Sequence, residues 1–535
     1  MNTTFLKIHA KDNVLVALSE ISAGTELQID DFKVVVNETI PQKHKLCLEQ
    51  LEVGKEVVMY GVVVAKAVRP IKAGDLINTS NVAHQTSSTI SKNKTALWNA
   101  PDISFWKSKH FMGFQRANGQ VGTSNNWLFF PLVFCENRNI EILKDTFEKE
   151  LFPKPPNHYR RHLRQLLQKE NSAEEHKEST PHLDNINLRF ITHQGGCGGT
   201  KEDAILLSRL LAGYVNNPNV AGATVLSLGC QHLQIEVFKE ALESVSSDSK
   251  KPILIFEQQQ IGTTEEMLTQ VIEHSLIEIQ LANQLKRVPA PLSKLTIGLE
   301  CGGSDGFSGI SANPTLGYVS DVLSALGGSS ILAEFPELCG VEQDLVDRCI
   351  NDKIATKFLT LMQNYNQSAQ NVGSGFDMNP SPGNVKDGLI TDAIKSAGAA
   401  KKGGTSPVVD VLDYTEYVSK KGLNLLCTPG NDVESTTAMV GSGANLVLFT
   451  TGLGTPTGNP IAPVLKIASN TELRKKMPDI IDFDTGAIIR GEKSIEEMGE
   501  FLLEFIIEVA SGRHMINADR HQQFDFIPWK RGVSL

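Results

Sequence analysis

The apolar positions of this chain change pattern along its length. Through residues 6–84, short β-branched stretches such as NVLVAL and KEVVMYGVVVAKAV alternate with turns, and ISAGTEL at 21–27 returns as IKAGDLI at 71–77. That alternation predicts a small β-rich module with a weak internal echo. Further on, four apolar runs each stop at a cysteine or a histidine–cysteine pair, after which small or polar residues follow: NWLFFPLVFC (126–135), LRFITHQGGC (188–197), ATVLSLGC (223–230) and LTIGLEC (295–301). Short apolar runs closed by glycine-rich turns read as buried strands of a parallel sheet, and ligands of open α/β sheets bind beyond the carboxyl ends of such strands. Helical patterns at 202–214, 265–285 and 317–326 alternate with these runs, as βαβ units require. A second alternating block begins near 407 and closes with a helix at 495–510.

The expected fold is therefore α/β and multidomain. A β-rich module at 1–84 is followed by a linker at 85–110, which opens with the polar, Ser/Thr-rich QTSSTISKNKT (85–95). An α/β catalytic domain with a parallel sheet spans 111–404, and a Rossmann-like α/β lobe spans 405–535. A charged block near 149–181, proline-rich at its start and Ser/Glu/Lys-rich at its end, reads as a surface insertion.

Composition narrows the function. A net charge of −10 supplies no basic footprint for nucleic acid or an anionic membrane, which leaves a small molecule as the expected partner. The eight cysteines, none in a CxxC pair, suit a reducing cytoplasm better than a disulfide scaffold. The most apolar late segment, FLLEFIIEVA, is interrupted by Glu504 and Glu508, so no membrane span is expected.

Candidate chemistry collects after the strands. CGGSDGFSGISANP (301–314) joins a thiol, a carboxylate and small polar side chains to four glycines, whose backbone N–H groups can approach an anion closely. THQGGCGG (192–199) places His193 four residues before Cys197, a base beside a soft ligand. NPSPGNVKDG (379–388), PGND (429–432) and FTTGLGTPTGNP (449–460) are turn-dense stretches suited to the hydroxyls or carboxylate of a polar ligand. Neither dinucleotide nor P-loop signatures occur.

Taken in order, these stretches resemble the altronate and galactarate dehydratase family. The resemblance covers nearly the whole chain: DNVLVAL, KHK and YG in a module like the family's SAF domain, then FQRANGQVGTSNN, NPNVAG with LGC, GLECGGSDGFSGISANP, AEFPELCGVE, NPSPGN, KKGGTSPVVDVL, GLNLLCTPGND, LVLFTTGLGTP, IDFDTG and the closing RGVSL. Several of them look more like the altronate branch. One departure stands out: altronate-type members carry VHxHN near the end of the module, where this chain has Ile77-Asn78-Thr79-Ser80-Asn81.

The resemblance implies dehydration of an aldonate, with D-altronate the first candidate. The C2 proton is removed, the C3 hydroxyl leaves, and the enol becomes a 2-keto-3-deoxy acid. It also implies iron or another divalent metal: Fe²⁺, alternatively Mn²⁺ or another divalent cation, or an iron–sulfur cluster held by thiolates. His193 is the first expected acid or base, with His44 and Lys45 as a second group brought by the module. Cys135, Cys197, Cys230 and Cys301 are expected to line the metal site, and Arg116, Ser304, Asp305, Asn313, Asn384 and Thr455 to contact the substrate. Galactarate dehydration, sulfite elimination from sulfolactate and a catalytically silent sugar-acid binder stand as alternatives, and oligomeric state, a homo-oligomer included, stays open.

Overall fold

The structure is a computed structural model that describes residues 4–29, 32–86, 91–94, 97–152, 158–167, 183–245 and 250–535. The expected insertion at 149–181 and the linker at 85–95 thus lie partly outside the described residues. The chain divides into two compact units, Met1–Ser124 with Arg209–Asn219 and Arg287–Trp529, and Asn125–Ser208 with Val220–Lys286 and Lys530–Leu535.

The N-terminal module is antiparallel. Phe5–Leu6, Val14–Ala17, Lys45–Cys47 and Leu76–Ile77 form one sheet, and Glu56–Met59, Val62–Ala67 and Val82–His84 form another. The echoed segments play matching parts: Ile21 bridges to Ile40 and Ile71 to Leu51, and each repeat turns on a glycine with positive φ, Gly24 and Gly74. A Cβ at Gly74 would stand 1.9 Å from the Val35 carbonyl oxygen, so only glycine fits there.

The second unit is built on a parallel sheet of strands β1 (Asn126–Pro131), β2 (Asn187–Phe190), β3 (Val220–Ser227) and β4 (Ile253–Glu257), in the order β2-β1-β3-β4. Its core is aromatic. Phe129 stacks on Phe190 at 4.7 Å, and the Trp127 indole N–H donates to the Thr224 hydroxyl at 2.9 Å, which satisfies the one polar atom the ring buries.

The first unit holds a larger parallel sheet of seven strands: β5 (Thr296–Cys301), β6 (Ser329–Leu332), β7 (Val408–Leu412), β8 (Gly422–Leu426), β9 (Leu446–Thr451), β10 (Val464–Ala468) and β11 (Phe483–Asp484). Their order is β7-β8-β6-β5-β9-β10-β11. All its pairings are parallel, so both faces must be covered, and β6, β8 and β9 are buried at every position. This corrects the expectation of a separate C-terminal lobe. The boundary foreseen at 404/405 falls inside this sheet, because β9 pairs with β5 across about 150 residues of chain. The chain leaves β5 toward β6 and leaves β9 toward β10 on the opposite side, so the sheet's switch point lies between β5 and β9. Open α/β sheets place their ligands at that point, outside the strands' carboxyl ends.

Candidate active site

Buried ionisable groups crowd the carboxyl end of β5. Glu300 and Cys301 are its last two residues and are 0% and 2% exposed. Glu334 follows β6 with a left-handed backbone (φ 64°, ψ 60°), a conformation costing roughly 1–3 kcal/mol for a non-glycine residue. Its N–H donates to the Thr428 hydroxyl after β8 (2.8 Å), which fixes the turn. Asp432 opens the helix α1 (Asp432–Gly441), whose N-cap Asn431 accepts from the N–H groups of Val433 and Glu434. Two lysines enter: Lys402 donates to the Cys301 sulfur and to Glu334 Oε2, both at 2.7 Å, and Lys395 pairs with Glu337 Oε1 at 2.6 Å.

This cluster is unbalanced. Four carboxyls and a thiol face two ammonium groups. Burial, then the neighbouring Glu334, pushes Glu300 well above the usual carboxylate range, and burial with Glu334 and Glu337 raises Asp432 to about 7. Burial and the same two glutamates raise the Cys301 thiol. Burial also works against charge on Glu337, yet Lys395 and Lys402 outweigh it and keep this carboxylate ionised.

Two overlapping sets of close donors share Glu334, namely Cys301–Glu334–Glu337 and Glu300–Glu334–Asp432, the ligand atoms of each set lying within 4.8 Å of one another. They differ in one respect. The Cys301 set already holds the Lys402 ammonium, whereas Oε1 of Glu300 and Oε1 of Glu334 are buried with no hydrogen-bond partner among the described residues. Orphaned carboxylate oxygens in a buried site call for a proton or a cation. The all-oxygen set therefore fits a divalent ion with a taste for carboxylates, Mn²⁺, Mg²⁺ or Fe²⁺.

The loop after β5 links this cluster to the N-terminal module. Gly302 passes so close to Asp432 that a Cβ would stand 2.1 Å from its Oδ2. Asn384 donates to the Ser304 carbonyl (2.8 Å) while its Oδ1 accepts from the N–H of Ser381, the N-cap of the short helix Pro382–Lys386. Asp305, fully buried, accepts from Ser308, Ser469 and Asn470 and pairs with Lys43 of the module at 2.9 Å. Lys43 also reaches Asp387 at 3.0 Å. Burial opposes its charge, but the two aspartates hold it above the ordinary lysine value. Lys45 is 1% exposed and donates to the carbonyls of Lys43 (3.1 Å) and Gly388 (2.6 Å). Burial lowers it to about 7, with Asp305 only partly offsetting the shift. A neutral amine has two N–H bonds. Both are spent on these carbonyls, and the lone pair is left over.

The other expected residues are placed as follows. His193, in the second unit, is buried and lowered to about 4 by that burial; its Nε2 donates to the Pro131 carbonyl (2.8 Å) and its Nδ1 accepts from the Gly195 N–H (3.1 Å). Both ring nitrogens are occupied, so the imidazole acts as a loop clamp with no lone pair left for a substrate proton. His44 is half-buried with Nδ1 on the Gln42 carbonyl, and burial lowers it. Arg116 spends its guanidinium on the backbone carbonyls of Pro218 (2.7 Å) and Ser124 (3.3 Å). Asn313 bridges the Gly398 carbonyl and the Thr450 hydroxyl, and is a strut of the fold. Thr455 and the buried Ser304 flank the Gly303 turn.

Among the described residues, Cys301 alone of the four expected thiol ligands joins a close donor set. Cys135, Cys197 and Cys230 belong to the second unit, on the loops after β1, β2 and β3. Those loops are tied together: Phe134 N–H donates to the Gly195 carbonyl and Leu233 N–H to the Gly196 carbonyl, both at 3.1 Å. The stretch Asn78–Asn81, in place of the family's histidines, is a self-satisfied turn. Asn78 Oδ1 accepts from the Ser80 N–H and hydroxyl, and Asn81 Oδ1 from the Asn78 N–H.

Glu300, Glu334, Glu337, Lys395, Lys402 and Asp432 were not singled out from sequence. A signal existed for some of them: a glutamate inside the apolar run LTIGLEC, and a carboxylate beside Phe in AEFPEL, are costly burials without a partner.

Comparison with known proteins agrees with this architecture. Residues 3–85 match the altronate/galactarate dehydratase SAF domain, 113–279 the second domain of D-galactarate dehydratase/altronate hydrolase, and 292–534 the C-terminal domain of D-galactarate/altronate dehydratase. The chain is similar to the altronate dehydratase of Escherichia coli K12, 35% identical over 99% of this chain and 100% of the relative, and to that of Bacillus subtilis 168 at the same identity and coverage. It is 30% identical to the galactarate dehydratase (L-threo-forming) of Escherichia coli K12, over 96% of this chain and 94% of the relative. No helix among the described residues is long and apolar enough to cross a membrane.

Proposed function

The chain belongs to the altronate/galactarate dehydratase family of hydro-lyases, and from that premise we propose that it dehydrates a hexonate, D-altronate first, to 2-keto-3-deoxy-D-gluconate at the carboxyl end of β5. The observation that carries this reading is the unbalanced buried cluster that Gly302 touches, together with the buried Lys45, whose neighbour Lys43 pairs with Asp305 of the same loop. Removing a proton beside a carboxylate requires a base free at neutral pH and a fixed environment for the charge that develops. Lys45 supplies the amine. Ser304 and Thr455 orient the substrate's carboxylate and hydroxyls, and the C2 proton taken by Lys45 leaves with the C3 hydroxide as water. Glu300 and Glu334, with Asp432 at the rim, would hold a divalent cation, which when bound neutralises charge on the substrate's carboxylate. His193 and Arg116 support their loops.

A second reading concerns the metal alone. Cys135, Cys197 and Cys230, on three neighbouring strand-end loops joined by backbone hydrogen bonds, form a set suited to an iron–sulfur cluster. Thiolates around a cluster stand farther apart than ligands of a single ion.

The test is anaerobic assay of the purified protein with thiol and Fe²⁺, Mn²⁺ or Mg²⁺ against a panel of aldonates, aldarates and sulfolactate, with iron and acid-labile sulfide measured on the same preparation. The expected result is 2-keto-3-deoxy product, fastest from altronate. Product from galactarate alone, sulfite from sulfolactate, or no turnover with tight sugar-acid binding would each replace this reading. Stoichiometric labile sulfide would favour the cluster.

A further inference from the structure

Away from the Glu300–Glu334–Asp432 set, three potential ligands of different chemistry meet. His84 ends the strand Val82–His84 of the N-terminal module, Cys339 follows the turn Phe335–Leu338, and Asp392 is the first residue of the helix Asp392–Ala399. One ligand atom from each lies within 4.8 Å of the other two. Asp392 is 0% exposed, yet among the described residues neither of its carboxylate oxygens has a hydrogen-bond partner, and the buried Nδ1 of His84 has none either. Its position at a helix start does not explain this, because Thr391 caps that helix through the Ile394 N–H. A buried imidazole nitrogen without a partner, close to a buried carboxylate whose near donor is only the weak Cys339 thiol, is costly as it stands.

We propose that His84, Cys339 and Asp392 bind a borderline divalent transition-metal ion, Zn²⁺ or Fe²⁺, that fastens the last strand of the N-terminal module to the α/β body. An imidazole, a thiol and a carboxylate make a donor set that such ions prefer to Mg²⁺ or Ca²⁺. Bonds of roughly 2.0–2.3 Å would draw the three atoms together by about an ångström, and a fourth tetrahedral position falls to water. Binding leaves the His84 imidazole neutral and converts the Cys339 thiol to thiolate with release of its proton. The surroundings favour a cation: Asp377, Glu337 and Glu342 lie within electrostatic reach, against Lys395. The site stands whether or not the assignment of the reaction does, since it uses none of the same donors.

Chelator-treated full-length protein titrated with Co²⁺ under anaerobic conditions tests it. One equivalent is expected to give a thiolate-to-cobalt charge-transfer band in the near ultraviolet. That band should persist in Cys301→Ser and in the Cys135→Ser/Cys197→Ser/Cys230→Ser triple variant, and disappear in Cys339→Ser. His84→Gln, at a half-buried strand end, guards against misfolding. It should weaken Co²⁺ at least about tenfold while its metal-free melting temperature stays that of the parent. A band that survives Cys339→Ser, or an unchanged affinity in His84→Gln, overturns the site.

Discussion

At the scale of single residues, the proposed chemistry depends on how burial sets one amine. Lys45 is buried with both N–H bonds of its neutral form on carbonyl oxygens, and burial brings it to about 7. It is ionised and useless as a base below that value and free above it. Activity should therefore rise with pH through about 7, on kcat/KM as on kcat. Lys45→Met should lower kcat by at least about 100-fold, the smaller end of what a general base contributes. Lys45→Arg should do the same, because a guanidinium does not release its proton. A Lys45→Met enzyme with the parental acid limb would place the base elsewhere.

At the scale of elements, the end of β5 is where strand, turn and helix come together. Gly302 lets the backbone run against Asp432, so Gly302→Ala would force either the turn or α1 to give way. The variant should lose at least about tenfold in kcat as Asp432 is displaced, and some stability as well, because the new Cβ would also stand 2.6 Å from the buried Phe449 ring. Parental kcat with an unchanged metal requirement would mean that Asp432 has no part in the reaction. This strand end was legible in sequence because an apolar run closing on glycines is the mark of a buried strand running into a tight turn. Its partners were not. Lys402 lies 101 residues from the Cys301 it touches, and no local pattern brings the two together. The same distance problem hid the pairing of β5 with β9 and made one sheet read as two domains. NPSPGN read as turns, and its serine and asparagine do form a capping box, but on a helix too short to show a period. A histidine among glycines looks accessible in sequence, and only the folded chain shows both nitrogens of His193 engaged.

For the whole first unit, the question is what seats the N-terminal module against the α/β body. The module was legible from its alternation and its repeated turn, but its seating depends on contacts between residues 262 to 344 positions apart. Lys43 bridges Asp305 and Asp387, Gly306 and Gly388 clear space for the Lys43 backbone, and the Thr391 hydroxyl donates to the Val64 carbonyl at 3.0 Å. Among the described ion pairs, Lys43 alone joins the module to a fully buried carboxylate. Lys43→Ala leaves Asp305 with its Ser308, Ser469 and Asn470 donors but without a cation, a change that costs about 3 kcal/mol for well-buried pairs and somewhat less here because Lys43 keeps 16% of its side chain exposed. That loss falls on the docked state and not on the module's own core, which is formed by its own strands. Hydrogen exchange should then quicken at 43–47 and 384–391 while the strands β5, β6 and β9 stay protected, and kcat should fall because Lys45 shares the loosened segment. Lys43→Arg, which preserves the charge, should recover most of the protection. If Lys43→Ala exchanges like the parent at 384–391 and yet loses activity, Lys43 acts on the substrate directly and the module is held by its apolar contacts alone.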